Sequence, residues 1–213
     1  MFVGWHGSER IGRLAKRGLL AFLLVVLLLV WPAGCATTVV PPRDPGDPVT
    51  VYLLDHGHTP SLIVPTPEGE LARYAFGDMR YYGRGERNVF TGALAMLVPT
   101  AGGLGRGVFE DPSSPEAVVA SLPVHVDRFY PIVVERDAAF RLYTQLEAQF
   151  EEASDTLVSN PLVGLDFVNA GQGYTWFYNS NHAVADWLRE LDCDVIGLAY
   201  VSRWEIKPAE QSR

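Results

Sequence analysis

The fold class of this chain is decided by the stretch Val49-Thr50-Val51-Tyr52-Leu53-Leu54, a run of β-forming residues. Residues 55–60 interrupt the run with glycine and proline, and residues 61–64 (Ser-Leu-Ile-Val) resume it as a second strand. A Pro-Thr-Pro-Glu-Gly turn follows, and residues 70–76 are typical of a third strand. Short strands joined by tight turns predict an antiparallel hairpin arrangement.

Helical spacing appears further along the chain. Residues 137–153 place Phe140, Tyr143, Leu146 and Phe150 on one face, and a later helix has the apolar face Val184, Trp187, Leu188 and Leu191. The remaining predictions are a helix over 89–97 capped by Asn88, a glycine-rich connector at 102–107, a helix over 114–122, a strand over 124–134, a glycine-rich loop ending at 173, and strands at 175–178 and 194–206. Strands in hairpin order combined with helices predict an α+β fold with a mainly antiparallel sheet and packed helices.

The first 35 residues indicate where the protein works. Four basic residues precede the apolar run Leu19 to Trp31, which is about 13 residues long and too short to span a bilayer comfortably. Pro32-Ala33-Gly34-Cys35 follows and resembles the lipobox of bacterial lipoproteins, with Pro32 where leucine is commoner. We expect residues 1–34 to be a signal peptide and Cys35 to be lipidated. An uncleaved membrane anchor and ordinary secretion are the alternatives.

The expected mature chain is strongly acidic. Residues 35–48 are rich in proline and predict an extended tether, and residues 49–208 form the predicted domain. Without the leader, 13 basic and 24 acidic residues remain, so the net charge is −11. Such a surface repels nucleic acid. We therefore expect no nucleic-acid partner, and a membrane partner through the lipid anchor, in the cell envelope on the periplasmic side of an outer membrane.

Two polar segments lie where the chain changes direction. The first contains His58, a candidate general base that leads into the strand at 61–64. The second is Asn179-Ser180-Asn181-His182, where Ser180 opens a helix and could act as a nucleophile beside free backbone amides. Helix capping is the stronger competing explanation, because helix caps prefer the same residues. We also predict that Asn179, Asn181, His182 and Tyr81 contact substrate.

Other arrangements of the polar residues are open. Asp78 is a candidate for the third group that orients the histidine, in an aromatic loop suited to a groove wall. Asp55, His56, His58 and His182 could surround zinc, but their spacing fits no specific metal motif, so we expect no metal and no other cofactor. Cys193 stands between two aspartates, which oppose thiolate formation, and is expected to be structural.

The order of these motifs resembles a family of bacterial lipoproteins that is itself similar to the circularly permuted papain-like, or NlpC-type, superfamily. The motifs are Gly57-His58-Thr59, Phe76-Gly77-Asp78 with Tyr81-Tyr82, and the segment 178–188. The resemblance covers roughly residues 50–205 and implies a strand-borne histidine, His58, facing a nucleophile at a helix start, Ser180. Papain-like enzymes use cysteine at that position, so serine is a departure from the pattern.

The residues support two functions. One is a hydrolase or acyltransferase in which Ser180 attacks an amide or ester and His58 moves the proton, with peptidoglycan stem peptides or lipid acyl groups as substrates. The other is a lipoprotein without catalytic activity that binds a peptide or cell-wall fragment in the same groove. These two functions predict different geometry, because only the first requires His58 and Ser180 to be within hydrogen-bonding reach.

Overall fold

The structure is a computed structural model that describes residues 36–85, 99–110 and 114–208. The strands are β1 (Thr37–Val40), β2 (Pro48–Asp55), β3 (Pro60–Pro65), β4 (Leu71–Asp78), β5 (Thr100–Phe109), β6 (Arg128–Glu135), β7 (Val158–Asn160), β8 (Leu165–Tyr174), β9 (Asp194–Ile196) and β10 (Trp204–Ile206). The helices are α1 (Pro115–Ser121), α2 (Arg136–Glu152) and α3 (Ser180–Glu190), with a π-helical turn at Met79–Gly83 and a 3-10 turn at Ser154–Thr156.

The β-rich run forms the predicted hairpin. Strands β2 and β3 pair antiparallel, with Tyr52 opposite Ile63. In the described residues they belong to a seven-stranded sheet of order β6-β2-β3-β4-β5-β8-β7, in which every neighbouring pair is antiparallel. A smaller sheet has the order β10-β1-β9, and its β1–β10 pair is parallel. The prediction of an α+β fold with a mainly antiparallel sheet is confirmed.

Alternation along the strands separates the two faces of the large sheet. Leu53, Leu62 and Tyr74 face a core that includes Leu146 of α2 and Leu188 of α3. On the opposite face, Leu54, Ile63 and Leu71 pack with Val118 of α1. Helix α3 lies directly against β3 and β4. The sheet therefore holds the start of α3 beside the middle strands, on the face that carries the larger core.

The predicted glycine-rich connector is a strand, and the predicted loop ending at 173 contains the strands β7 and β8 around a turn at residues 161–164, so the first prediction was wrong and the second was wrong in part. The segment at 102–107 lies within β5, which pairs with both β4 and β8. A Cβ atom added to Gly105 would lie 2.7 Å from the Phe167 ring of β8. Glycine at this position thus lets the large Phe167 ring pack directly on the backbone of β5. Composition alone does not distinguish such a glycine from one in a flexible turn.

The tether prediction was wrong for its first part. Thr37–Val40 is strand β1, paired with β9 on one side and β10 on the other, and Val39 is fully buried in the main core. The predicted strand over 194–206 is two short strands, β9 and β10, which hold β1 between them. The predicted strand at 175–178 is a tight turn closed by a bridge between Thr175 and Tyr178.

Of the remaining predictions, some agree with the structure and two concern residues that it does not describe. Helix α1 begins after Ser114, whose hydroxyl accepts from the Ala117 amide, and Pro131 lies in the edge strand β6, where its missing N–H is tolerated. Cys193 is buried, and burial together with its neighbouring aspartates raises its pKa to about 12, as expected for a structural thiol. The helix predicted at 89–97 and the lipidation site Cys35 lie outside the described residues.

Candidate functional site

Several candidate residues gather at one edge of the large sheet. The end of β2, the start of β3, the end of β4, the start of β5 and the end of β8 meet there because neighbouring strands are antiparallel. His58 lies in the loop between β2 and β3 rather than on a strand, and its side chain is exposed. The start of α3 lies near the same edge, on the face that carries the main core.

Ser180 is held inside this edge. Its residue is 1% exposed, and its hydroxyl is hydrogen-bonded with the Tyr174 phenol at the end of β8. Burial raises the pKa of Tyr174, the Ser180 hydrogen bond lowers it, and the charge of Asp78 raises it further. In the part of the chain that the structure describes, no hydrogen bond joins Ser180 to His58. The structure therefore does not bring the proposed nucleophile and base together as a hydrogen-bonded pair.

Asp78 has a structural task of its own. Its carboxylate is buried and accepts from the backbone amides of Arg80, at 2.9 Å, and Tyr81, at 2.6 Å. It thereby caps the π-helical turn and fixes the direction in which Tyr81 leaves the backbone. Nothing in the described residues connects Asp78 to His58 by a hydrogen bond. The role of Asp78 in orienting the histidine therefore stays a prediction, and the charge of Asp78 acts on Tyr174.

The polar residues around Ser180 mostly cap helix α3. The Asn179 side chain accepts from the amides of Asn181 and His182, and the His182 ring faces the Asn179 amide to complete a capping box. Burial lowers the pKa of His182, whose ring lies edge-on to Tyr200 at 4.9 Å. Asn181 is the exception, because its buried Oδ1 atom has no hydrogen-bond partner within the described residues.

A second polar network lies on the opposite face of the sheet. His56 Nδ1 lies 2.8 Å from the His125 carbonyl oxygen, so this nitrogen carries the proton and donates. The Ser61 hydroxyl then donates to His56 Nε2 at 2.9 Å, and Arg73 Nε donates to the Ser61 oxygen at 3.0 Å. Burial and the neighbouring Arg73 charge lower the pKa of His56 to about 4, so its ring is neutral at physiological pH.

Arg73 is the central residue of this network. It is 3% exposed, burial lowers its pKa to about 10, and its Nη1 donates to the Val163 carbonyl at 3.0 Å. Its remaining near neighbour is His56 Nε2, 3.3 Å from Nη2. Arg73 forms no ion pair with any carboxylate in the described part of the chain. A buried guanidinium without a carboxylate is costly unless something else compensates its charge.

This network opens into a cavity of about 410 Å³. The cavity is lined by His56, His58 and Arg73, and the aromatic pair Tyr81 and Tyr82 forms part of its wall. The prediction that the aromatic loop forms a groove wall is therefore met by the geometry, whereas Ser180 is not among the lining residues. The buried Arg73 guanidinium makes this cavity suited to holding an anionic group, because it supplies N–H donors and the lining residues include no carboxylate.

The described residues hold no group of three or more histidine, cysteine or acidic side chains arranged to bind a metal. Asp55 instead accepts from the Ser202 hydroxyl at 2.5 Å and from the Gly57 amide at 2.9 Å, and both His56 nitrogens are engaged. The zinc alternative therefore does not fit this geometry.

Sequence reasoning missed Arg73 and Ser61. The available signal was a charged residue in the middle of the strand sequence Leu71-Ala72-Arg73-Tyr74, since arginine is rarely fully buried in a strand unless it has a partner. We compared the chain with protein-family models, curated proteins and solved structures, and no match was found in any of the three.

Proposed function

We propose that this chain is a lipid-anchored protein of the cell envelope whose domain binds a carboxylate-bearing peptide or cell-wall fragment in the cavity around Arg73. The observation that carries the proposal is the buried Arg73 guanidinium, which lines the cavity and has no carboxylate partner among the described residues. A planar guanidinium binds a carboxylate through two parallel hydrogen bonds. A stem peptide offers such carboxylates, and the envelope location expected from the Cys35 motif brings it within reach.

The alternative function, a Ser180–His58 hydrolase, has less support. The Ser180 hydroxyl is buried and bonded with Tyr174, while His58 is exposed and lines a cavity that Ser180 does not reach. We expect a fluorophosphonate probe to leave the wild-type protein unlabelled. Labelling that disappears in both Ser180→Ala and His58→Ala would instead establish the catalytic function.

The finer fold assignment is part of the proposal. We propose that the domain is a divergent permuted papain-like fold, supported by the packing of α3 against β3 and β4 and by the α+β architecture. In that fold the histidine position would belong to a strand, and here His58 lies in the preceding loop. This displacement is consistent with a domain that keeps the scaffold and has lost the catalytic pair.

Calorimetry tests the binding function. The probe is a soluble muramyl tripeptide with free carboxylates, titrated into the full-length protein, and the matched probe is the same peptide with its carboxylates amidated. We expect the free peptide to bind and the amidated one to bind at least about tenfold more weakly, since a charge-assisted pair is lost. Equal affinity for the two probes, or no binding of either, would overturn the proposal.

Substitutions at Arg73 locate the site. Arg73→Met keeps the length of the side chain and removes its charge, so it should abolish binding. Arg73→Lys keeps the charge without the planar fork and should bind with intermediate affinity. The control is Arg136→Met. It removes an exposed arginine that pairs with Asp47 and does not line the cavity, so the variant should bind as the wild type does. Binding of inorganic phosphate but not of the peptide would confirm an anion site and reject the peptide as its ligand.

A further inference from the structure

A patch of large apolar side chains is exposed near the small sheet. The apolar patch consists of Trp176, Phe177, Ile196, Leu198 and Val201, which are between 38% and 77% exposed. Two separate segments contribute to it, and Trp176 stacks on Tyr200 with 6.1 Å between ring centroids, which joins the segments into one surface. Clustered apolar residues of this size on a soluble surface mark a site of interaction.

Hydrogen bonds hold the backbone beneath the patch in place. Ser202, next to Val201, donates to the buried Asp55 at the end of β2, and the Trp204 indole donates to Ser202 at 3.2 Å. The turn that carries Trp176 and Phe177 is closed by a Thr175 amide hydrogen bond to the Tyr178 carbonyl at 2.8 Å. The side chains are therefore presented outward on a fixed backbone and are not on a frayed end of the chain.

The domain begins beside this same patch. Thr38 pairs with Ile196, and the Thr37 amide donates to the Arg203 carbonyl at 2.7 Å. A Cβ atom added to Gly197, between Ile196 and Leu198, would lie 3.3 Å from the Ala36 carbonyl oxygen. The residue before Ala36 is Cys35, the expected lipidation site, so a lipid on that cysteine would leave the domain next to the apolar patch.

We infer that the apolar patch docks onto the interfacial region of a lipid bilayer, next to the point where the chain is anchored. Tryptophan and tyrosine are enriched at membrane interfaces because their amphipathic rings sit at the level of the headgroups, and phenylalanine is typical of the apolar face of segments that lie in the interface. The chain without its leader carries a net charge of −11, so the matching surface is zwitterionic, since anionic headgroups would repel it. This inference relies on the lipid anchor of the proposed function for its geometry.

Site-specific labels test the docking. Phe177→Cys carries an environment-sensitive nitrobenzoxadiazole label in the patch, and Glu151→Cys carries the same label on an exposed position of α2, outside the patch. The buried Cys193 remains unlabelled. The full-length protein is reconstituted with phosphatidylcholine vesicles that contain a nitroxide-bearing lipid. We expect the label at position 177 to shift to shorter wavelength and to be quenched several-fold more than the label at 151.

Each outcome separates docking from anchoring. Flotation of the protein with the vesicles reports attachment to the membrane, through the lipid or an uncleaved leader, whereas quenching at position 177 reports the docking. If the protein floats and both labels are quenched equally, the docking is overturned and the anchor stands. If quenching at 177 persists in Cys35→Ser, which cannot carry the lipid, the docking stands without lipidation. A wavelength shift at 177 that grows with protein concentration in the absence of vesicles would mean that a second copy covers the patch, and it would overturn the inference.

Discussion

Arg73 shows at the scale of one residue how far the sequence predicts the candidate site. The two histidines and the aromatic wall could be chosen in advance because their residue types carry chemistry on their own. The role of Arg73 depends on its surroundings, in which the described residues supply no partner carboxylate, and the sequence does not reveal the neighbours of a strand residue. The sequence likewise does not reveal that Ser180 is hydrogen-bonded with Tyr174, because the two residues belong to different elements. Without that information, Ser180 remained a candidate nucleophile.

His56 provides a residue-scale prediction about pH. Its pKa is about 4 in the folded protein and 6.5 in the unfolded chain, because burial opposes the charged ring. As the pH falls, His56 is therefore protonated in the unfolded state before it is protonated in the folded state. The folded state loses stability between about pH 6.5 and pH 4 as a result. The loss amounts to up to about 3 kcal/mol at the lower end of this range. Urea unfolding across the range should show it.

Two control variants separate the contribution of His56 to the pH dependence of stability from that of the carboxylates, which titrate in the same range. His56→Gln removes the titration and should lose correspondingly less stability over the same range of pH. His125→Gln, at an exposed ring that pairs with Asp127, should keep the wild-type dependence. An identical slope of unfolding free energy against pH in wild type and His56→Gln would show that the buried imidazole is not responsible.

At the scale of elements, the glycines of β5 make a prediction that separates a strand from a loop. Gly105→Ala places a methyl group against the Phe167 ring, which belongs to a paired strand and cannot easily retreat. We expect a loss of about 1–3 kcal/mol in the free energy of unfolding, as in other overpacked interiors. Gly173→Ala is the matched control, because its nearest neighbour would be 3.6 Å away. Equal effects of the two substitutions on the melting temperature would contradict the close strand crossing.

The cap of α3 gives a second prediction at this scale. Asn179→Ala removes the side-chain oxygen that accepts from the Asn181 amide at 2.9 Å, and it should cost about 1 kcal/mol of stability. Asn179→Asp keeps the acceptor at the positive end of the helix dipole and should be close to wild type. If Asn179 were mainly a ligand contact, Asn179→Ala would leave the unfolding curve unchanged and weaken peptide binding instead.

At the scale of the whole molecule, local pattern predicted the elements better than their arrangement. The hairpin β2–β3 and helix α3 were visible because alternation and helical spacing act within one segment. The small sheet was not, since β1, β9 and β10 are each three or four residues long and become strands only by pairing across more than 150 residues. A short valine- and threonine-containing stretch before a proline-rich segment gives no local sign that it will be buried.

Strand β1 therefore decides how the domain is joined to its expected anchor, and this can be measured. Val39 is fully buried in the main core, so Val39→Ser should lower the free energy of unfolding by about 2–4 kcal/mol, through lost packing and a buried hydroxyl. Arg43→Ser, four residues later at an exposed position, should leave stability unchanged. If both variants unfold like the wild type in urea, the segment is a free tether after all. If only Val39→Ser is destabilised, β1 belongs to the folded domain, which then begins two residues after Cys35 in the sequence.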